Sequence, residues 1–141
     1  MNEQIEKELI QKAMEMMKLS YAPYSGYHVG AALLATNGVI YTGCNIENAS
    51  YGATNCAERT AFFKAVSEGV KNFEAIAIVG APADEAAENT FSEYAYPCGI
   101  CRQVMQEFCK KDFSIIVAKS MEDYQKYTLS ELLPFGFGGI Q

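Results

Sequence analysis

Two nearly continuous apolar runs, residues 73–79 and 113–118, place the strongest constraint on the fold of this chain. Few polar residues interrupt either run, so each predicts a β-strand that is covered on both faces. Residues 98–109 between them predict a helix, with Pro97 suited to its first turn. A strand, a helix and a strand in this order predict a parallel, right-handed crossover. We therefore expect an α/β fold, a mixed sheet with helices on both faces.

Other patterns add helices and a hairpin. Apolar residues at three- and four-residue spacing predict one helix that ends near Ser20 and another over residues 56–68. The dipeptide Asn37-Gly38 separates the apolar runs 28–35 and 39–44. Because Asn-Gly supplies the positive φ angles of a tight turn, these two runs predict a β-hairpin.

The second half of the chain ends in shorter elements. Residues 124–128 predict a last strand, and Thr128 with Glu131 has the pattern of a capping box on a short helix. The Ala-, Asp- and Glu-rich stretch 81–96 is long for a loop, has room for a helical turn, and is expected to be exposed.

Size and charge limit the classes of function. The 141 residues fit a single domain over 1–141, and the 11 Lys and Arg against 17 Asp and Glu give a net charge of -6. This balance argues against nucleic acid as a partner and fits a small neutral or cationic ligand. The first residues are acidic and polar, and no segment approaches ~20 consecutive apolar residues, so we expect a cytoplasmic protein without a membrane span.

The cysteines are the strongest chemical signal. Cys98 and Cys101 form a CxxC pair at a predicted helix start, which alone fits a redox pair, half of a structural zinc site or two core residues. Cys56 begins another predicted helix, so three thiolates could converge on one zinc ion. Three protein ligands leave one position for water, as in catalytic zinc sites. We expect Cys44 and Cys109 to be buried instead.

Charged neighbours of these cysteines have two interpretations each. Glu58 matches a capping box with Asn55, yet it also stands two residues from Cys56, where a carboxylate can accept a proton from water. Arg59 and Arg102 either donate hydrogen bonds to ligand sulfurs or lie on helix surfaces. The single histidine, His28, is expected to pack in the sheet or to contact a substrate.

Six motifs extend over nearly the whole chain: Ala22-Pro23-Tyr24-Ser25, Val29-Gly30-Ala31-Ala32-Leu33, Gly43-Cys44-Asn45-Ile46-Glu47-Asn48, Asn55-Cys56-Ala57-Glu58-Arg59-Thr60-Ala61, Pro97-Cys98-Gly99-Ile100-Cys101-Arg102-Gln103 and Glu131-Leu132-Leu133-Pro134. As a set they make the chain similar to the small, homo-oligomeric cytidine deaminases of the three-cysteine type. The resemblance implies a three-layer α/β/α sandwich with a mixed five-stranded sheet.

The resemblance also implies a mechanism. One zinc ion per chain would be held by Cys56, Cys98 and Cys101, and zinc hydroxide would attack C4 of cytidine or deoxycytidine. Glu58 would carry a proton from the zinc-bound water to ring N3 and then to the departing amine. Uridine or deoxyuridine and ammonia would be the products, a step of pyrimidine salvage.

Substrate contacts are implied in the same way. Asn45 and Glu47 would bind the ribose 3′-hydroxyl, the N–H of Ala57 would bind O2, and the carbonyl of Tyr96 would accept from the amino group. Tyr27 stands where relatives commonly stack a phenylalanine on the base.

The resemblance further implies a homotetramer that shares its active sites between chains. Phe137 matches the aromatic residue that closes over the base from another subunit, and Tyr51 also reaches across. Phe135 and Phe137 stand where relatives have one aromatic residue.

Other functions remain open from the sequence. A related zinc site deaminates a cytosine-containing nucleoside antibiotic, which has no need of Asn45 and Glu47. A non-catalytic, zinc-stabilised interaction domain would close its metal with a fourth protein ligand, for which Cys44 is the nearest candidate. Editing of nucleic acid is disfavoured by the acidic balance.

Overall fold

The fold is a mixed five-stranded sheet between helices, seen in a computed structural model that describes residues 1–139. Its elements in chain order are α1 (Glu3–Met17), β1 (Tyr27–Ala35), β2 (Ile40–Cys44), a 3-10 turn (Tyr51–Ala53), α2 (Ala57–Ser67), β3 (Phe73–Pro82), α3 (Gly99–Phe108), β4 (Ser114–Ala118), β5 (Tyr124–Thr128) and α4 (Leu129–Leu132). The strands lie in the order β2-β1-β3-β4-β5. The α/β class and the mixed sheet are as predicted.

The pairing of the strands follows the predicted connections. β3 and β4 are parallel, from Ala75 opposite Ser114 to Ile78 opposite Val117, and α3 lies between them in the chain. The remaining pairs are antiparallel, including the β1–β2 hairpin. The hairpin loop spans residues 36–39, and of its residues only Gly38 has a positive φ, 89°.

Two apolar layers cover the two faces of the sheet. Strand residues such as Leu33, Ile76 and Ile115 pack with α2 and Met105 of α3, whereas their neighbours Leu34, Ala77 and Ile116 pack with α1. Successive strand residues point to opposite faces, so the long apolar runs fill both layers. The expected α/β/α sandwich is therefore present.

The predicted exposure of residues 81–96 is only partly correct. β3 continues to Pro82, and a turn follows in which the carbonyl of Pro82 accepts from Glu85 and Ala86. Phe91 and Ala95 are buried, with 3% and 8% of their surface exposed. These apolar residues in an acidic stretch pack on the two core layers and hold the loop against the sheet.

None of the helices among the described residues has the length and apolar content needed to cross a bilayer.

Helix α1 contains one buried carboxylate, Glu6. Its two oxygens accept hydrogen bonds from Tyr124 Oη at 2.9 Å and Lys126 Nζ at 2.7 Å, both on β5. Burial raises the pKa of Glu6, but these two partners outweigh it, and the net pKa lies below its ordinary value of 4.5.

Because the folded-state pKa of Glu6 is lowered, its stabilisation is present at neutral pH and is lost as the pH falls through that pKa. We expect Glu6→Gln to lower the free energy of unfolding by about 1–2 kcal/mol at pH 7. The difference from wild type should narrow below pH 4.5, as the wild-type carboxylate also becomes neutral. Urea unfolding at several pH values measures this; a constant difference would contradict it.

The close approach of α1 to β1 depends on Gly30. A Cβ at this position would stand 1.9 Å from the carbonyl oxygen of Ala13 and 2.7 Å from the nitrogen of Met17. Both atoms are helix backbone, so they cannot move aside without displacing α1.

We expect Gly30→Ala to destabilise the fold by about 3 kcal/mol, because the added methyl forces α1 away from the sheet. The matched control is Gly52→Ala, where a Cβ meets nothing within 4 Å. Thermal or urea unfolding of both variants tests this, and equal stabilities would show that α1 packs differently.

Candidate active site and metal centre

Two helix N-termini meet at one end of the sheet. Cys56 is the N-cap of α2 and Cys98 the N-cap of α3, both in extended backbone conformation. Cys101 lies in the first turn of α3 and is fully buried. Neither capping side chain accepts a hydrogen bond from its own helix, so both sulfurs are left for other partners. The positive ends of two helix dipoles therefore face these thiols.

The three sulfurs form a triangle of the size that zinc requires. Cys56 Sγ and Cys98 Sγ are 3.7 Å apart, and all three sulfurs lie within 4.8 Å of one another. Sulfurs bound tetrahedrally to zinc at about 2.3 Å lie about 3.8 Å apart. Cys44 and Cys109 lie outside this cluster, and Cys44 is buried, with 7% of its surface exposed. The donor set fits one zinc ion with a fourth position for a non-protein ligand.

The positive charge of Arg59 partly offsets the negative charge of the cysteine sulfurs. Its Nη2 donates to Cys56 Sγ at 3.2 Å, and its buried Nε has no partner within residues 1–139. A hydrogen bond from Cys101, followed by those from Arg59 and Cys98, lowers the pKa of Cys56 to about 5 against the effect of burial. The hydrogen bond between Cys101 and Cys56, together with burial, raises the pKa of Cys101. The chain thus holds a thiolate at Cys56 near neutral pH.

Arg102 does not play the role expected for it, donation to a sulfur. Its Nε donates to the carbonyl of Pro97 at 2.8 Å, and its Nη1 to the carbonyl of Leu132 at 2.7 Å. The reason is its position in α3, from which the guanidinium reaches back over the helix start toward α4. Arg102 therefore fixes the chain before Cys98 and does not polarise a thiolate.

The capping-box interpretation of Glu58 is wrong. The N-cap of α2 is Cys56, and Asn55 instead donates from Nδ2 to Thr60 Oγ1 at 3.0 Å. Glu58 is buried, with 4% of its surface exposed. Burial raises the pKa of Glu58 to about 7, because its effect is larger than the opposite effect of a backbone hydrogen bond. A carboxyl group in this setting can both accept and give a proton near neutral pH.

A cavity of about 440 Å³ opens in front of the sulfurs and Glu58. Cavities of this volume commonly hold small organic ligands. It combines the start of β1, the segment between β2 and α2, and the residues before α3; its lining is Ser25, Tyr27, Val29, Asn45, Glu47, Asn55, Cys56, Ala57, Glu58, Ile78, Tyr94, Ala95, Tyr96 and Cys98. The lining includes all five residues of this chain that were predicted to contact the substrate within one subunit: Tyr27, Asn45, Glu47, Ala57 and Tyr96.

Asn45 and Glu47 are fixed by backbone groups. Asn45 accepts from the nitrogen of Val29 and donates to the carbonyl of Tyr27, both at 2.9 Å. Glu47 Oε1 accepts from the nitrogens of Tyr24 at 2.9 Å and Ser25 at 3.0 Å, and Oε2 from the Ser25 hydroxyl. These bonds hold the pKa of Glu47 below its ordinary value, the Ser25 hydroxyl contributing most. Both side chains retain hydrogen-bonding capacity toward the cavity.

Ser25 was missed as a functional residue, although it belongs to one of the six sequence motifs. Its role follows from contact with Glu47 and could not be found from spacing. His28 lies in β1 opposite Ala81 of β3, its Nδ1 shares a hydrogen bond with the Ser20 hydroxyl, and it is not among the residues that line the cavity.

Phe137 does not reach the cavity of its own chain. Its side chain is 75% exposed, and its carbonyl accepts from Gln103 Nε2 at 3.0 Å. Phe135 is fully exposed and Tyr51 is 82% exposed. Their predicted contacts with another subunit stay predictions.

Comparison with known proteins identifies the family. A model described as "Cytidine and deoxycytidylate deaminase zinc-binding region" matches residues 3–117. The cytidine deaminase of Sporosarcina psychrophila is 48% identical over 131 residues, covering 93% of this chain and 90% of its own. That of Halalkalibacterium halodurans is 49% identical over 129 residues, covering 92% and 91%. The chain belongs to the cytidine deaminase family.

Solved structures agree with this family assignment. The crystal structure of cytidine deaminase from Burkholderia pseudomallei has a TM-score of 0.80 at 41% identity, covering 92% of this chain and 97% of that one. A blasticidin-S deaminase of Bacillus cereus is 31% identical over 130 residues, covering 92% and 90%. The greater similarity to cytidine deaminases disfavours the antibiotic-deaminase alternative. As a zinc-binding deaminase, this family member fits one zinc per chain at its cysteine cluster.

We expect the purified deaminase to contain about one zinc ion per chain, and Cys98→Ser to lose most of it. Serine is a favoured N-cap, so α3 should remain folded in this variant. Metal analysis with circular dichroism measures both, and Cys109→Ala is the control that should keep its zinc. Full zinc content in Cys98→Ser would exclude Cys98 as a ligand.

Proposed function

We propose that this chain catalyses the hydrolytic deamination of cytidine and deoxycytidine to uridine and deoxyuridine, with release of ammonia. One observation carries the proposal: a buried carboxyl group, Glu58, stands beside a three-sulfur cluster in a nucleoside-sized cavity. Zinc bound by Cys56, Cys98 and Cys101 would supply a Lewis acid that lowers the pKa of water, so that a hydroxide nucleophile would be available to attack C4.

Glu58 moves the protons of the reaction. Its carboxylate accepts a proton from the attacking water and delivers it to ring N3. It then passes the second water proton to the departing amino group, so ammonia leaves and the carbonyl of uridine forms. Its burial supports this role, because a carboxyl group with a pKa of about 7 gains and loses a proton readily near neutral pH.

Other cavity residues hold the nucleoside in our proposal. Asn45 and Glu47 bind the ribose 3′-hydroxyl, and their fixed orientation supports this role. The N–H of Ala57, free at the start of α2, binds the pyrimidine O2. The carbonyl of Tyr96 accepts from the amino group, and the Tyr27 ring packs on the base.

The second alternative, a zinc-stabilised interaction domain, needs a fourth protein ligand. Within residues 1–139 the cluster contains three cysteines, and Cys44 lies outside it. The geometry therefore favours catalysis.

We also propose that the enzyme is a cytoplasmic homotetramer that acts in pyrimidine salvage and binds neither nucleic acid nor membrane. The exposed aromatic residues Tyr51, Phe135 and Phe137 support assembly, because such side chains commonly lie in subunit interfaces. The net charge of -6 supports the exclusion of nucleic acid.

Glu58→Gln tests the proposed proton transfer. The amide has nearly the same shape but cannot take up the proton, so kcat should fall by a factor of about 10² to 10⁴ while zinc content and KM change little. The loss of ultraviolet absorbance on conversion of cytidine to uridine measures turnover. Wild-type kcat in the zinc-loaded variant would remove Glu58 from the mechanism.

The substrate is tested separately on the wild-type enzyme. Cytidine, deoxycytidine and blasticidin S are compared at equal concentration, and we expect turnover of the two nucleosides to exceed that of the antibiotic. The reverse order would favour the antibiotic-deaminase alternative.

A further inference from the structure

The acidic loop 83–96 contributes part of the cavity wall. Tyr94, Ala95 and Tyr96, its last residues, line the cavity directly before the zinc-binding motif. We call these three residues the loop wall. Ala95 is buried in the core layer below α2, and half-buried Tyr94 packs against that layer, whereas Tyr96 is exposed. Further contacts, outside the core, fix the rings of Tyr94 and Tyr96.

Those of Tyr94 come from the turn between β4 and β5, residues 119–123. The Tyr94 hydroxyl donates to Asp123 Oδ1, and Lys119 Nζ lies 4.6 Å from the centre of the Tyr94 ring. The acceptor and the cation thus hold the ring from two directions. The hydrogen bond to Asp123 also raises the pKa of Tyr94 to about 12, so the hydroxyl stays protonated and remains a donor at neutral pH.

The turn itself is well fixed. The Lys119 nitrogen donates to the Asp123 carbonyl at 2.8 Å, and the Asp123 nitrogen to Ser120 Oγ at 3.0 Å. The Lys119 carbonyl in turn accepts from the nitrogen of buried Phe91, also at 2.8 Å. A rigid turn therefore holds the loop at two points, Phe91 and Tyr94.

The ring of Tyr94 in turn orients the ring of Tyr96 by direct contact. The two rings lie 6.3 Å apart edge to face, and Tyr96 meets Tyr127 of β5 in the same way at 6.1 Å. Such aromatic contacts favour one relative orientation. The whole loop wall is then ordered before a ligand enters.

We propose that Tyr94 is a positioning residue, and that Asp123 and Lys119 hold it so that the loop wall is preformed for the nucleoside. This inference rests on the proposed function. It assigns the loop a role in substrate affinity. Without the contacts, the competent arrangement is populated for part of the time, and apparent affinity falls by that fraction.

The test uses Tyr94→Phe and Asp123→Ala, with Glu122→Ala as a control in the same turn, where the side chain is exposed. We expect KM for cytidine to rise about threefold to fivefold in each test variant, with kcat and zinc content unchanged, because bound substrate restores the wall. The double variant should be no worse than either single one, since both remove the same bond.

Two results would overturn the inference: a KM equal to that of Glu122→Ala, or additive effects in the double variant. Hydrogen exchange of amides 92–96 provides a readout that is independent of turnover. It should be faster in Asp123→Ala than in wild type, with exchange in α2 unchanged. If wild type fails to deaminate cytidine, the proposed function is wrong, and the exchange result alone then decides whether Asp123 orders the loop.

Discussion

The site depends on the meeting of two helix N-termini whose caps are cysteines. A helix start leaves backbone N–H groups unpaired and carries partial positive charge. Serine or aspartate would satisfy one of those groups from its own side chain, but the sulfurs of Cys56 and Cys98 do not. The two helices thus supply a positive field and free sulfur donors at the same place, which favours thiolates and a bound cation.

The sheet, which is covered by helices on both faces, fixes the positions of these two helix starts relative to each other. β3 and β4 run in parallel, so α3 returns across one face, while α1 closes the other through the contact at Gly30. The N-terminus of α3 and the start of β1 then lie around one cavity. Residues far apart in sequence, such as Tyr27 and Cys98, meet there because the sheet is rigid.

Sequence patterns could predict the elements and the cysteine cluster, since both depend on local spacing. The long apolar runs predicted β3 and β4, and the helix starts predicted where Cys56 and Cys98 would meet. Patterns could not predict the partners of Arg102, because its carbonyl acceptors at Pro97 and Leu132 belong to different elements. The burial of Phe91 was also missed, because a single apolar residue in an acidic stretch gives no periodic pattern.

The same residues that favour chemistry weaken the fold without metal. Cysteine in place of a good capping residue costs about 0.5–2 kcal/mol at a helix start, and this chain does so twice. Burial of Glu58 disfavours its charged form, and Arg59 Nε is buried without a partner within residues 1–139. Zinc bound to three sulfurs would join α2 to α3, and its binding energy would favour the folded chain. A zinc ion held at this position would therefore stabilise the two helix starts as well as take part in the reaction, because two of the three sulfurs that would bind it belong to the N-caps Cys56 and Cys98.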